Sequence, residues 1–221
     1  MTKRLEIIFS VLPECKVFAD IGCDHGYISK MMAKSGKCEK IIYSDVSRDC
    51  LKKAERLLKA ETECGKAIGM VSDGFKNLPA CDCALIAGMG GEEIINILSA
   101  TENLPENLVV QPMKNCDKVR RYTAERGYRV VKDFVFKANG KFYVLIVMKR
   151  LEGTLKDADK SALTEEEIEF GRDNVIFRGE DFKEKIAIER EKLKRYLSCD
   201  KISDDVRREM TEKIERLSKY V

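Results

Sequence analysis

Short apolar runs alternate with amphipathic stretches through the first two-thirds of the chain. The runs predict seven β-strands, at residues 16–20, 40–45, 67–71, 83–86, 107–111, 128–136 and 142–148. Apolar residues at helical spacing predict helices at residues 28–34, 48–63, 91–98 and 114–125, and another helix begins at the N-terminus. Strands that alternate with helices predict β-α-β crossovers, and therefore a parallel sheet with helices on both faces.

The last two predicted strands are connected differently from the others. Residues 137–141 are too few for a helix and contain Asn139-Gly140, a pair that favours a tight turn between antiparallel strands. The sequence therefore predicts an α/β fold whose seven-stranded, mostly parallel sheet ends in an antiparallel hairpin. This ending is typical of class I, Rossmann-like methyltransferases and is less usual in dehydrogenases.

The pattern changes after Arg150. Residues 151–163 are polar, and Thr164 with Glu167 then carries the sequence signature of a capping box at the start of a helix. Further on, apolar residues recur only at helical spacing, in one stretch at Phe182, Ile186, Leu193 and Leu197, and in the next at Met210, Ile214, Leu217 and Val221. The spacing indicates two amphipathic helices, with a turn and a new N-cap within residues 198–205.

We therefore predict two domains, a Rossmann-like methyltransferase domain at residues 1–152 and a helical C-terminal domain at residues 153–221. The second would be an antiparallel coiled-coil hairpin. A helical extension that only covers one flank of the first domain fits the same spacing equally well.

Composition narrows the range of functions. The net charge of +3 is too small by itself to indicate a nucleic-acid partner. No apolar run approaches the roughly 20 residues of a membrane-spanning helix, and the N-terminus does not resemble a signal peptide. His25 is the only histidine and the nine cysteines include no CxxC pair, so we expect no metal site. We expect free thiols in a cytoplasmic protein.

The strongest local signal is the segment VFADIGCDHGY at residues 17–27. An apolar strand ends in the acid Asp20 and continues into a glycine-bearing turn, with a helix behind it. In a dinucleotide-binding GxGxxG loop, backbone amides hold a pyrophosphate at this point. Here Asp24 takes the place of the second glycine, and its carboxylate would repel a phosphate. It suits a ligand with a cationic centre and no phosphate, which describes S-adenosylmethionine.

Suitable residues follow the next three strands in order. Asp45 ends the second strand, where an acid accepts hydrogen bonds from ribose hydroxyls. Asp73-Gly74 follows the third strand, and IAGMGG at residues 86–91 follows the fourth. The predicted cofactor-binding residues are Asp20, Gly22, Cys23, Asp24, His25, Asp45, Val46, Asp73, Gly74, Ala87, Gly88, Met89 and Gly90. Each alone also suits a tight turn or a helix cap, but their joint placement at strand ends favours a pocket.

These segments make the chain resemble the TrmK-like family of bacterial tRNA methyltransferases, which act on N1 of the adenine at position 22. The resemblance runs nearly end to end, through residues 19–27, 73–74, 86–91, 111–112, 140–143, 163–164 and 170–171. It implies S-adenosylmethionine as cofactor and tRNA as substrate, with the C-terminal helical hairpin as a tRNA-binding arm. The chain departs from the family pattern at Cys23, Gly26, Ser29, Met113 and Arg172, where Ser, Ala, Pro, Asn and Pro are usual. Met113 matters most, because an asparagine amide there could hydrogen-bond the target base.

Three residues are predicted to be catalytic. Adenine N1 needs no deprotonation to attack a methyl group, so alignment supplies much of the rate. We expect Asp24 to stabilise the positive charge of the product, Tyr27 to stack on a base pulled from its helix, and Gln111 to hydrogen-bond that base. Asp24 could instead bind only the amino group of the cofactor, and Tyr27 could instead belong to the core.

A basic run follows Gln111, at Lys114, Lys118, Arg120, Arg121, Arg126 and Arg129. We predict that Lys114, Arg120 and Arg121 bind the substrate, although an ordinary solvated helix face explains the run as well. Two other functions fit the sequence: a methyltransferase for another RNA, a protein or a small molecule, and a non-catalytic RNA-binding module. Methyl transfer to bulk tRNA distinguishes a tRNA methyltransferase from both. The oligomeric state stays open, a monomer included.

Overall fold

The computed structural model describes residues 2–151, 162–198 and 202–221. The predicted domain boundary between residues 152 and 153 lies outside the described residues, as does part of the turn predicted within residues 198–205. Cys199 lies outside them too.

Seven strands form one sheet: β1 (Cys15–Ile21), β2 (Cys38–Asp45), β3 (Ala67–Val71), β4 (Cys83–Met89), β5 (Asn107–Pro112), β6 (Tyr128–Ala138) and β7 (Lys141–Arg150). Their order is β3-β2-β1-β4-β5-β7-β6. The pairs from β3 to β5 are parallel, while β7 is antiparallel to both β5 and β6. The predicted fold class is confirmed. The strand order reverses between β1 and β4, which opens a crevice at their carboxyl ends.

Helices cover both faces of the sheet. The first two-thirds of the chain contains α1 (Lys3–Val11), α2 (Tyr27–Ser35), α3 (Arg48–Leu57), α4 (Lys59–Glu63), α5 (Gly91–Ser99) and α6 (Cys116–Glu125). The C-terminal part contains α7 (Glu165–Phe170), α8 (Arg172–Phe177), α9 (Glu180–Leu197) and α10 (Asp204–Ser218). The helix predicted at residues 48–63 is broken at Leu58, whose side chain is fully buried and whose backbone leaves the helical conformation. The capping box at Thr164 is confirmed.

The core has two parts, one on each face of the sheet. Successive residues of a strand point to opposite faces, so Phe18 packs with Met32 under α1 and α2, whereas Ala19 packs with Ile94 under α5. The second part also contains four side chains from the C-terminal helices, Phe182, Ile186, Leu217 and Tyr220. The base of the α9–α10 hairpin therefore covers a flank of the sheet. Whether residues 153–221 act as a separate domain stays a prediction.

The C-terminal segment also covers the free edge of β6. The backbone N–H groups of Asp133, Val135 and Lys137 donate to the side chains of Asp173, Asn174 and Asp181, at 3.0, 2.9 and 2.8 Å respectively. An uncovered edge strand offers such groups to other chains, so these three side chains protect the edge from pairing. Among the described helices, none combines the length and apolar character needed to cross a membrane.

Candidate active site

A cavity of about 930 Å³ opens at the carboxyl ends of β1, β2 and β4, where the strand order reverses. Every predicted cofactor-binding residue except Gly90 lines it. Gly90 instead caps α5, with the Lys114 side chain directly over it. The sequence did not indicate several other lining residues, including Thr2, Arg4, Ser72, Lys76, Glu93 and Asn96. The first two come from the N-terminus, and the others lie after β3 or on α5.

The turn between β1 and α2 is fixed to the end of β2. The N–H groups of Gly22 and Cys23 both donate to the carbonyl of Ser44, at 2.8 and 2.9 Å. The backbone N–H of Asp24 donates to Asp45 Oδ2 at 3.1 Å. Gly22 has φ of +72°, and a Cβ there would stand 2.1 Å from Met89 Cε. The left-handed φ favours glycine at this turn, and the flexible end of the Met89 side chain occupies the space beside it.

The cavity carries acids at three depths, with Asp20 buried, Asp45 partly buried and Asp24 exposed. Asp20 is only 5% exposed and accepts a hydrogen bond from Ser29 Oγ at 2.6 Å. Its burial, reinforced by the nearby charge of Asp45, raises the pKa of the Asp20 carboxyl to about 6. Burial likewise raises the pKa of the Cys23 thiol, which lies among the same acids. The Asp24 side chain is exposed at the mouth, 3.7 Å from His25 Nε2.

Two aromatic rings stand together at this mouth. His25 and Tyr27 stack, with ring centroids 5.6 Å apart and planes at 18°. Tyr27 is 51% exposed and lines the cavity, so the alternative that it belongs to the core is wrong. The pair offers a flat, partly apolar surface next to the cavity.

The prediction for Gln111 requires correction. The side chain is fully buried and does not line the cavity. Its Oε1 accepts hydrogen bonds from Arg4 Nε and Nη2 at 2.8 and 2.5 Å, while its Nε2 donates to Pro112 O and Met113 S. Because its amide is engaged inside the protein, Gln111 supports Arg4 and does not present its own amide to a substrate.

The prediction for Arg120 is also wrong. Its side chain is 1% exposed, and its Nε and Nη2 donate to the carboxylate of Asp133 at 2.6 and 2.9 Å. Arg121 is exposed and forms an ion pair with Glu165, which turns it towards α7. Lys118 and Arg126 also pair with acids, Glu92 and Glu102. Much of the basic run is therefore neutralised locally. Substrate binding by Lys114 and Arg121 stays a prediction.

In the part of the chain that the structure describes, eight cysteines are free. Within the same residues, no group of three or more histidine, cysteine or acidic side chains is placed to hold a metal ion. The candidate chemistry is therefore concentrated in the cavity, where acids, a glycine turn and an aromatic pair converge.

Comparison with known proteins places this arrangement in a family. Residues 1–146 match the family described as "Methyltransferase domain". A Mycoplasma genitalium protein named "Putative tRNA methyltransferase MG248" is 30% identical over 162 residues, covering 71% of this chain and 73% of that protein. The tRNA (adenine(22)-N(1))-methyltransferase of Bacillus subtilis is 26% identical over 152 residues, covering 66% of this chain and 64% of the relative.

A solved structure has the same fold over the whole chain. It is TrmK of M. capricolum in complex with the cofactor product S-adenosyl-homocysteine. It superposes with a TM-score of 0.87 at 20% identity, covering 100% of this chain and 97% of the other. The chain therefore belongs to the methyltransferase-domain family, and it shares its fold with TrmK.

Proposed function

We propose that this chain uses S-adenosylmethionine to methylate N1 of the adenine at position 22 of tRNA. The observation that carries the proposal is the acid-lined cavity around a glycine turn at the reversal of strand order. Its lining is drawn in part from residues 19–27, 73–74 and 86–91, which are among the segments that resemble the family. The tRNA substrate and the position of the adenine are inferred from the names of the relatives. The binding of the cofactor is inferred from the residues of the cavity.

The residues of the cavity fit this cofactor. Its adenosine part carries ribose hydroxyls, for which the Asp45 carboxylate at the end of β2 is the natural acceptor. Its ammonium group suits the acids Asp20 and Asp24. The Gly22 turn carries no side chain, which leaves space for the ligand beside Met89. When bound, the cofactor supplies a methyl group on a cationic sulfur.

The protein's contribution to the reaction is alignment and charge. The N1 lone pair forms the new N–C bond while the C–S bond breaks and its electron pair stays on sulfur, so no proton has to be removed. The adenine becomes cationic, and the exposed Asp24 carboxylate at the mouth stabilises that charge as it develops. Alternatively, Asp24 binds only the ammonium group of the cofactor. In that case Asp24→Asn should weaken cofactor binding without slowing methyl transfer.

Tyr27 is expected to stack on the target base. Its ring is half exposed beside the cavity and is held by His25. Stacking on an aromatic side chain is worth about 1–3 kcal/mol per base, so Tyr27→Ala should weaken tRNA binding by roughly 5- to 150-fold. Tyr27→Phe keeps the ring and should bind tRNA nearly as the wild type does. Binding isotherms with a fixed tRNA measure both; equal affinities for the alanine and phenylalanine variants would contradict stacking.

Cofactor affinity is expected to depend on pH through Asp20. A carboxyl with a pKa of about 6 is mostly ionised at pH 7.5 and mostly protonated at pH 5. Since only the ionised form attracts an ammonium group, affinity for S-adenosylhomocysteine should be full above pH 7 and fall as the pH drops through 6, by up to about tenfold per unit. Calorimetry at several pH values measures this. Asp20→Asn should bind weakly with a flatter profile, and a pH-independent wild type would refute the role.

Methylation of a bacterial tRNA with adenine at position 22 tests the whole proposal. N1-methyladenine blocks the Watson–Crick edge, so reverse transcription should stop at that nucleotide, and a tRNA with guanosine at position 22 should give no stop. A methyl group on guanine or on a ribose would refute the assignment, and binding without transfer would indicate a non-catalytic RNA-binding module. A tRNA substrate also implies that the protein works in the cytoplasm, as the thiol-rich composition suggested.

A further inference from the structure

Arg4 is a cation in the wall of the cavity that the proposed function has not yet used. It stands on the first turn of α1 and reaches Gln111 Oε1, to which its Nε and Nη2 donate. Its Cζ lies 5.4 Å from the centre of the Tyr143 ring. A Cβ on Gly88 would meet Arg4 Nη2 at 3.1 Å, so the guanidinium also borders the carboxyl end of β4. Three elements far apart in sequence therefore fix its position.

The guanidinium has no counter-ion within the described residues. None of the ion pairs in that part of the chain involves Arg4. A guanidinium carries five N–H groups, and the two that Gln111 accepts leave three free. Burial lowers the pKa of Arg4, a sign that its charge is partly removed from water. A half-buried cation with free donors and no acid partner is costly unless a ligand supplies the anion.

The charges around the cavity are divided. Asp20, Asp24 and Asp45 lie at or beside the glycine turn, and Glu93 on α5 adds a further acid to the lining. The other lysine or arginine of the described lining, Lys76, is paired with Asp73 at 2.5 Å. Arg4 is therefore the lining cation whose charge remains available. An acidic side and one free cation match a group that carries an ammonium and a carboxylate together.

We propose that Arg4 is the anion-binding residue of this cavity, held by Gln111 so that its free N–H groups receive an anionic oxygen group. The charge division favours the carboxylate of the cofactor's amino-acid end. A phosphate of the target nucleotide has the same chemistry and is the other possible source. The proposal rests on the proposed function for the identity of the cofactor. In this proposal Gln111 is a positioning residue that holds the Arg4 guanidinium, and this role accounts for its buried amide.

The test compares two ligands that differ in the amino-acid part. S-adenosylhomocysteine carries the carboxylate, whereas 5′-methylthioadenosine shares the adenosine and the sulfur but lacks it. Calorimetry gives the affinities of both for the full chain and for Arg4→Gln, Arg4→Lys and Lys3→Gln. Lys3 is an exposed cation on the same helix and serves as the matched control. Michaelis constants for tRNA are measured with the same variants, and thermal unfolding checks that each is folded.

Arg4→Gln should weaken S-adenosylhomocysteine binding by about tenfold or more while leaving 5′-methylthioadenosine binding unchanged, because a charge-assisted hydrogen bond is removed. Arg4→Lys should bind S-adenosylhomocysteine with intermediate affinity, since lysine keeps the positive charge but lacks the planar, two-pronged donor arrangement of a guanidinium. A selective rise of the tRNA Michaelis constant would instead identify a phosphate as the anion. Equal losses for both ligands, or no change in any of the three measurements, would overturn the proposal. Failure of the wild-type chain to bind S-adenosylhomocysteine would refute the proposed function instead.

Discussion

Arg120→Ala is expected to lower the free energy of unfolding by about 3–5 kcal/mol, because it leaves the buried Asp133 carboxylate without its partner. Asp133 is fully buried, and Arg120 supplies both of the side-chain hydrogen bonds to its two oxygens. Arg120 also donates to the carbonyl of Ile168 at 2.9 Å, so the substitution would loosen α7 as well. Urea denaturation followed by circular dichroism measures the change.

Arg121→Ala is the matched control for this substitution. Arg121 is the next residue of the same helix and also pairs with an acid, but both members of its pair are exposed to solvent, where ion pairs contribute little. The two variants remove the same type of side chain and one ion pair each, but only Arg120 is buried and also bonds the α7 backbone. Equal midpoints of unfolding for Arg120→Ala and Arg121→Ala would show that the Arg120–Asp133 pair does not stabilise the fold.

The same ion pair explains a motif that the sequence alone left without a reason. Gly171 follows α7 with φ of +94°, and a Cβ there would stand 2.6 Å from Asp133 Oδ1 and 2.9 Å from Arg120 Nη2. The Phe170-Gly171 pair marks the place where the C-terminal segment crosses the buried ion pair. The resemblance indicated these residues, but only the packing shows what the glycine makes room for.

The strands were predictable because burial requires runs of apolar residues in them. The burial of Asp133 was not predictable from the sequence. In a regular strand, alternate residues share a face. A bulge between Val130 and Lys132 shifts this register in β6. As a result Val131 is 45% exposed while Asp133 is fully buried. No local sequence pattern indicates a bulge. Arg120, the ion-pair partner of Asp133, was therefore interpreted as a surface residue.

The cavity was largely predictable for a topological reason. The carboxyl ends of parallel strands converge at one edge of the sheet, so residues after β1, β2, β3 and β4 could be assigned to one site before their distances were known. Arg4 and Thr2 could not, because α1 precedes the sheet and its first turn reaches the cavity through packing alone. The hydrogen bond between Arg4 and Gln111 spans 107 residues of sequence, and no spacing rule connects them.

Deleting residues 176–221 is expected to abolish cooperative folding, contrary to the behaviour of an independent arm. The deletion removes Phe182, Ile186, Leu217 and Tyr220, each at most 3% exposed in the core against the sheet. Truncating one such side chain to alanine costs about 2–5 kcal/mol. Four together amount to about 8–20 kcal/mol, as much as or more than the roughly 5–15 kcal/mol that stabilises a typical domain. Loss of the unfolding transition, with aggregation, is the expected result; a soluble, cooperatively folded truncation would contradict it.

Surface substitutions on the same hairpin isolate its proposed role in binding tRNA. Lys192, Lys194 and Arg208 have exposed side chains beyond the buried base of α9 and α10, and replacing all three by glutamine should leave the unfolding midpoint unchanged. If they bind phosphates, tRNA affinity should fall, and the slope of log affinity against log salt should flatten by about 0.7–0.9 for each phosphate that is no longer neutralised. Lys52, Lys53 and Lys59 on α3 and α4 are equally exposed, so their triple glutamine variant removes the same charge elsewhere. A change in net charge alone should affect tRNA binding equally, wherever the charges are removed. Identical salt slopes for the two triple variants would therefore show that the hairpin has only a structural role.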